Sequence, residues 1–339
     1  HSIPGSLGVV IETPAGRVVH TGDFKLDLHA HVSNRTDLDA VKRIGAQGVL
    51  CLMCDSTNAY APGHQPSEEE IDRNIQGMFT QTPGRIIIAT FSSLLSRVQQ
   101  ILSAAEKYNR KVLVEGFSMR TNIEIGKQLG YIRVKPTTII PWEEAKKLPP
   151  NRYLVLCTGA QGEDNAVLMR IANHEHKYLR IERGDLVVFS SSVIPGNERS
   201  ISRLKDGLLR EGATIIDTKV LDIHAGGHAK QEDIADFIRL IRPKYFMPIE
   251  GNYTSLLENK KIAMRTGIPE KNTLIADNGQ VVEFQNGQGY VTNVRHPIEY
   301  VFVDGLGIGD VNALVLRDRK QLAGDGMIIV VAQINSRTG

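Results

Sequence analysis

Between residues 85 and 217 the sequence alternates short, wholly apolar runs with stretches of helical period, and this alternation restricts the possible folds most strongly. The runs Arg85 to Thr90, Lys111 to Glu115, Tyr153 to Thr158, Leu186 to Ser190 and Thr214 to Asp217 lack the apolar/polar alternation of a strand with one wet face. They are expected as strands buried on both sides, which is the signature of a parallel sheet. Apolar residues at helical spacing fill Leu94 to Tyr108 and Met119 to Leu129, and another such segment begins at Pro66. Strands separated by helices give an α/β unit, and its Gly- and Ser-rich loops fall at strand ends, where such sheets bind ligands.

The flanks have a different texture. Ser6 to Asp23 is two β-rich runs around Pro14-Ala15-Gly16, a hairpin, and Cys51 to Cys54 is the next strand. From Leu221 the chain returns to this first domain, with a helix over Gln231 to Ile241, a strand at Pro243 to Pro248 and another at Gln280 to Phe284. We therefore expect a first domain over 1–65, an inserted domain over 66–220, a return to the first domain over 221–287, and a linker with the start of a further domain over 288–339. The last expected strand is Met327 to Ile334.

Composition narrows the class. Of 339 residues 41% are hydrophobic and 23% charged, and no apolar run approaches the roughly 20 residues of a membrane helix, so a soluble chain without a membrane partner is expected. The first residues have no basic, then apolar, leader pattern. The chain opens on His1 rather than Met, so it is processed or a piece of something longer. Three cysteines point to a reducing, cytoplasmic compartment; Cys51 and Cys54 form a C-x-x-C inside an apolar run and are expected in the core rather than on a metal. Net charge is +2, yet residues 85–152 hold 12 Lys/Arg against 5 Asp/Glu. That excess is either solvated helix surface or an electropositive wall for a phosphate backbone.

Imidazoles and carboxylates recur at strand ends: His1, Asp23 after the hairpin, Asp55 after Cys54, and the pair of turns carrying His224, His228 and Glu250. Two histidines four apart around Gly226-Gly227 are a corner, not a helical pair. Histidine and carboxylate on successive strand ends of one sheet are what a hydrolytic metal site requires. Taken singly, each is a turn or a cap. The loops Thr158 to Glu163, with Gly159, Gln161 and Gly162, and Ser190 to Glu198, with Ser190, Ser191 and Ser192, are bare turns or oxyanion cradles, and they match no Walker or dinucleotide fingerprint. His29/His31 and His174/His176 lack the Asp-His that would complete a dinuclear cluster and are expected as surface histidines; Trp142 is expected to pack.

Seven motifs in order now carry a resemblance: His1-Ser2-Ile3-Pro4, Thr21-Gly22-Asp23-Phe24-Lys25-Leu26-Asp27, Asp55-Ser56-Thr57-Asn58-Ala59, Thr158-Gly159-Ala160-Gln161-Gly162-Glu163, Ile194-Pro195-Gly196-Asn197-Glu198, His224-Ala225-Gly226-Gly227-His228-Ala229 and Leu316-Arg317-Asp318-Arg319. Over essentially its whole length the chain resembles the ribonuclease J family, in the β-CASP branch of the metallo-β-lactamase superfamily. The resemblance implies a partial αββα metallo-β-lactamase sandwich interrupted by an α/β β-CASP domain. It further implies His1 as a zinc ligand, Asp23 as a carboxylate bridging two metals, Asp55 as the first β-CASP acid, and His228 as the acid that protonates the leaving oxygen, oriented by Asp55.

Two departures stand out. The family's H-x-H-x-D-H zinc motif lies N-terminal to His1 and is absent here, so the chain as given is expected not to assemble a normal dizinc centre. The third β-CASP motif is usually a histidine ligand, and here Glu250 occupies it. Retained ligation is the expectation, with manganese favoured over zinc by the harder carboxylate; drift toward inactivity is the alternative.

The implied function is a metal-dependent RNA hydrolase, endonucleolytic and 5′-to-3′ exonucleolytic, with two Zn2+ in the full-length protein or Mn2+ given Glu250. RNA, single-stranded and 5′-monophosphorylated, is the expected partner, together with a homo-oligomeric assembly. His224, Gly226, Gly227, Ser190 to Ser192, Gly159, Gln161, Gly162 and Ser118 are expected to hold phosphates, and Arg97 and Arg120 to line a channel between the domains. Competing readings are a metal-poor RNA-binding paralogue or subunit and a DNA-processing β-CASP nuclease.

Overall fold

The structure, a computed structural model, describes residues 2–27, 36–194, 196–299, 301, 303–304, 307–308 and 313–325. His1, His29, His31, Pro195 and the predicted strand Met327 to Ile334 lie outside the described residues.

Strands β1 (Val9–Thr13) and β2 (Gly16–His20) pair antiparallel, with Val10 opposite Val19. Helix α1 (Leu38–Ala46) begins where the Asp37 carboxylate accepts the Ala40 N–H at 2.9 Å, satisfying one of the orphan donors of a first turn. It leads to β3 (Cys51–Asp55), parallel to β2. Ser67 caps α2 (Glu68–Gln81).

Then comes the alternating region: β4 (Ile86–Thr90), α3 (Leu95–Lys107), β5 (Lys111–Glu115), α4 (Phe117–Gln128), the single turn α5 (Trp142–Ala145), β6 (Tyr153–Cys157), α6 (Val167–Ala172), β7 (Leu186–Ser190), α7 (Glu198–Arg210) and β8 (Thr214–Ile216). The five strands form one parallel sheet in the order β5-β6-β4-β7-β8. The apolar runs follow from this geometry. Ile86 and Ile88 enter one core cluster with α2, α3 and α4, while Ile87 and Ala89 enter another with α6 and α7. Both faces of β4 are thus buried, and each fully buried Ile contributes about 1.5–3 kcal/mol. Arg85 ties the starts of β4 and β7 together, its guanidinium donating to both Asp185 oxygens at 3.0 and 2.5 Å.

After the Ile223–His228 corner the chain forms α8 (Gln231–Ile241), β9 (Tyr245–Ile249) and α9 (Tyr253–Arg265). Strand β9 lies parallel to β3 and completes the first sheet, ordered β1-β2-β3-β9. Leu52, Phe246, Ile234 and Ile262 centre a third core cluster. Cys51, Cys54 and Cys157 are free and buried, as expected of core cysteines.

The described residues of 1–275 and 284–290, holding both of these sheets, form one unit; those of 276–283 and 291–339 form another. Strands β10 (Gln280–Gln285) and β11 (Gln288–Arg295) make a two-stranded sheet. Beyond it, β12 (Val303–Asp304) pairs antiparallel with β13 (Gly307–Ile308), and α10 (Ala313–Asp325) follows. The motif Leu316 to Arg319 lies on α10, a helix the sequence reading does not anticipate. Among the described residues no helix is long and apolar enough to cross a membrane.

Candidate functional site

Because β2, β3 and β9 run parallel, their carboxyl ends share one edge. Asp23 follows β2, Asp55 ends β3 and Glu250 directly follows β9, with Asp55 in register with Ile249. The His224–His228 corner reaches the same edge. Ligand oxygens or nitrogens of Asp23, Asp55 and His228 all lie within 4.8 Å of one another. His1 lies outside the described residues.

Asp55 is buried and fully engaged. One oxygen accepts the Thr57 N–H at 2.9 Å and the other meets His228 Nδ1 at 2.7 Å. Burial alone would raise this carboxyl; the His228 and Thr57 bonds outweigh it and hold it below its ordinary value. The imidazole responds in the opposite sense. Burial would lower His228, but the hydrogen bond and charge of Asp55 raise it, which favours the protonated ring. Asn259, wholly enclosed on α9, donates its amide to Asp55 O at 3.0 Å and to Ser56 Oγ at 2.9 Å, fixing the strand end.

Glu250 has φ of 58° and precedes Gly251 at 92°. A non-glycine residue in the left-handed region costs about 1–2 kcal/mol, so the turn holds this carboxylate in place at some strain. Burial, a hydrogen bond with Asp23, and the charges of Asp55 and Asp23 push it up to about 7. Three crowded carboxylates beside an imidazole form a donor set that a divalent cation would stabilise, so the residues present fit a metal. Hard oxygen donors outnumber nitrogen, and nothing in the set selects zinc over manganese.

The corner itself alternates. Ile223 and Ala225 are buried in the core cluster of α2 and α3, while His224, Gly226 and His228 between and after them are partly exposed. The Ile223 carbonyl accepts from Arg97 and from Ser190 Oγ, the latter at 2.7 Å. The His228 carbonyl accepts from Gln65 Nε2 at 2.6 Å and Asn58 Nδ2 at 3.3 Å. His224 packs near Phe91, and its Nδ1 is enclosed without a hydrogen-bond partner. Burial and the neighbouring Arg97 charge push it down to about 3, so it is a neutral ring.

Not every expected phosphate contact is available. Arg97 is wholly buried, pairing with Glu68 at 2.8 Å, and does not line an open channel. Glu68 also holds Lys25 at 2.6 Å. Burial alone would raise the Glu68 carboxyl, but Arg97 and Lys25 bring it down to about 2. Ser190 is buried and spent on Ile223, and Ser191 is buried against the Gln161 amide at 3.1 Å. Gln161 is itself enclosed, stapling Ser192 O at 2.7 Å and Ile194 N at 2.9 Å, so it shapes the loop. Gly162 sits against Ser200, where an added Cβ would meet backbone at 2.8 Å.

Gly159, Gln161 and Ser118 do share a cavity of about 260 Å³ outside the carboxyl ends of β4 and β6, with Thr90, Phe91 and Ser92. That is where open α/β sheets take ligands. Arg120, on α4, is half-exposed and anchored to Glu115 at 2.7 Å. Gly226 and Gly227 lie on the corner, Gly227 buried. His174 is exposed as expected, but His176 is buried, because its ring packs edge-on against Tyr178 and its Nδ1 accepts the Leu179 N–H at 3.2 Å. The sequence reading missed Asn259, Gln65 and Glu68. Amides and a helix-start carboxylate have no spacing rule that would single them out.

Residues 83–208 match the family model described as the ribonuclease J β-CASP domain. That segment holds strands β4 to β7 of the five-stranded sheet and helices α3 to α6 with most of α7, while β8 follows it. The chain is related to ribonuclease J along its whole length. It is 41% identical over 338 residues to ribonuclease J 1 of Streptococcus pyogenes, covering all of this chain and 60% of that protein. It is 38% identical over 337 residues to ribonuclease J2 of Bacillus subtilis, covering 99% of this chain and 60% of that one. With ribonuclease J of Thermus thermophilus it shares 40% over 333 residues, covering 98% and 58%. The chain thus spans about half to 60% of the length of the curated relatives it matches. The mixed α/β fold with parallel sheets and the β-CASP match agree with the metallo-β-lactamase superfamily.

Proposed function

We propose that the protein carrying this chain is a ribonuclease J-type, metal-dependent phosphodiester hydrolase acting on single-stranded RNA, internally and from a 5′-monophosphorylated end. The observation that carries the reading is the convergence of Asp23, Asp55 and His228 ligand atoms within 4.8 Å at one sheet edge, beside Glu250. Asp23 and Glu250, with His1, would hold the metal. When bound, a divalent cation supplies Lewis-acid activation of water and of phosphoryl oxygens. Asp55 accepts from Nδ1–H, so in the protonated ring the second proton, on Nε2, is the one passed to the departing 3′ oxygen as the P–O bond breaks. Burial opposes that form, and the hydrogen bond and charge of Asp55 outweigh it and favour the protonated ring. RNA would lie from this edge toward the cavity of Ser118, Gly159 and Gln161, with the half-exposed Arg120 of α4 offering a phosphate contact and the Gly226-Gly227 corner close to the backbone.

The test uses the full-length protein with matched single-stranded RNA and DNA. His228→Ala is expected to abolish RNA cleavage while RNA binding persists; loss of binding instead, or unchanged cleavage, contradicts the assignment. Preferred cleavage of the DNA strand would move the protein to the DNA-processing branch. A second reading, a metal-poor RNA-binding subunit, rests on Glu250 standing where the resembled family usually carries a histidine ligand. Metal analysis and chelator sensitivity of the full-length protein separate the two. A homo-oligomer is part of the proposal and is read by sedimentation.

A further inference from the structure

We propose that Gln65, assisted by Asn58, is a positioning residue that aims the His228 ring. This rests on the reading of His228 as part of the metal and proton-transfer group. His228 is pinned at two points. Its ring is held through Nδ1 by Asp55 at 2.7 Å, and its backbone carbonyl takes two amide donors, Gln65 at 2.6 Å and Asn58 at 3.3 Å. With both ends fixed, ring Nε2 keeps one direction.

Gln65 is itself held. Its N–H donates to Asp233 Oδ2 at 2.9 Å, and the same oxygen accepts the Lys230 N–H at 3.0 Å at the start of α8. The other Asp233 oxygen meets His64 Nδ1 at 2.9 Å, and Asp233 is almost wholly buried. The contacts close a ring: His228 leads by two residues to Lys230, Lys230 and Gln65 share Asp233, and the Gln65 amide returns to His228. Gly226 belongs to the same device, since a Cβ there would stand 3.0 Å from Gln65 Nε2 and 3.5 Å from Asn58 Nδ2. The amide and the glycine fit face to face, so a larger residue at either position moves the other.

The experiment compares Gln65→Ala and Gln65→Met, the second keeping side-chain length without donors, in the full-length protein. Three quantities are read: kcat and KM on a single-stranded RNA oligonucleotide, Mn2+ affinity of chelator-stripped protein by calorimetry, and the long-range 15N spectrum of the His228 ring. Both variants should keep the thermal midpoint of the parent. In both, kcat should fall by up to about 100-fold with KM held within about twofold, because misplacement of about 1 Å is enough for that. Mn2+ affinity should weaken, because the His228–Asp55 pair stands against Asp23, one of the carboxylates that would hold the metal, and the ring spectrum should lose its single Nδ1-bonded signature. If KM rises with kcat unchanged, Gln65 contacts RNA instead and the proposal fails. Unchanged values in all three also overturn it. If the parent binds Mn2+ but cleaves nothing, the functional reading fails while metal affinity and the ring spectrum still decide the role of Gln65; with no metal bound, the ring spectrum alone decides it.

Discussion

Removing the Arg97 guanidinium tests whether that residue is structural or meets RNA. Arg97 is wholly enclosed, pairs with Glu68 and donates to the Ile223 carbonyl and to Ser190 Oγ. Arg97→Met keeps most of the volume but leaves the Glu68 carboxylate with only Lys25 and the Gln100 amide as partners among the described residues. Breaking a buried pair by deleting one partner costs about 3–5 kcal/mol, and urea unfolding at neutral pH should show a loss in that range without a change of m-value.

The pH dependence gives a second reading of the same pair. Glu68 is held at about 2 against an ordinary value of 4.5. Its contribution is therefore complete above pH 4.5 and is lost as the pH falls from there through 2, in total about 3 kcal/mol in the parent. In Arg97→Met that slope should flatten, and Glu68→Gln should remove it. A double-mutant cycle between the two should show strong coupling. A loss below about 1 kcal/mol, or weakened RNA binding at unchanged stability, would refute the structural role and return Arg97 to the nucleic-acid surface.

Other expectations concern the same edge and the core. Glu250→His in the full-length protein should shift metal preference toward zinc, as read by metal analysis after equilibration with both ions; unchanged content and activity would remove Glu250 from the ligands. Thiol titration should find no reactive cysteine until the protein unfolds, since burial raises Cys51 to about 12 and Cys54 and Cys157 well above the ordinary thiol value. Rapid labelling of native protein would contradict that packing.

The strands were legible because each is an unbroken apolar run, and both faces of β4 and β6 are indeed covered. Helices α8 and α3 were legible from period. Helix α7, with Ile201, Leu204 and Leu208 buried at helical spacing, carries the same signal but follows a Ser/Gly-rich loop that drew the reading toward a ligand turn. Helix α9 opens with the Asn252 cap and buries Asn259, a polar residue that no apolar pattern would place inward.

At the site, parallel strand ends explain why Asp23, Asp55 and Glu250 meet: one register brings three carboxyl termini to one edge, and strand type alone predicts it. The basic stretch did not translate so directly. Charge count treats Arg97 and Arg120 alike, yet Arg97 is consumed by Glu68 inside the fold while Arg120 remains half-exposed. A partner 29 residues away in sequence decided that difference, and sequence spacing alone does not reveal the pairing.

The most direct measurement is anomalous diffraction from crystals of the full-length protein equilibrated with Mn2+. A peak within bonding distance of Asp23 and Glu250, beside Asp55 and His228, is the predicted result. Manganese bound elsewhere, with those four side chains unliganded at saturating metal, would contradict the proposed hydrolytic site.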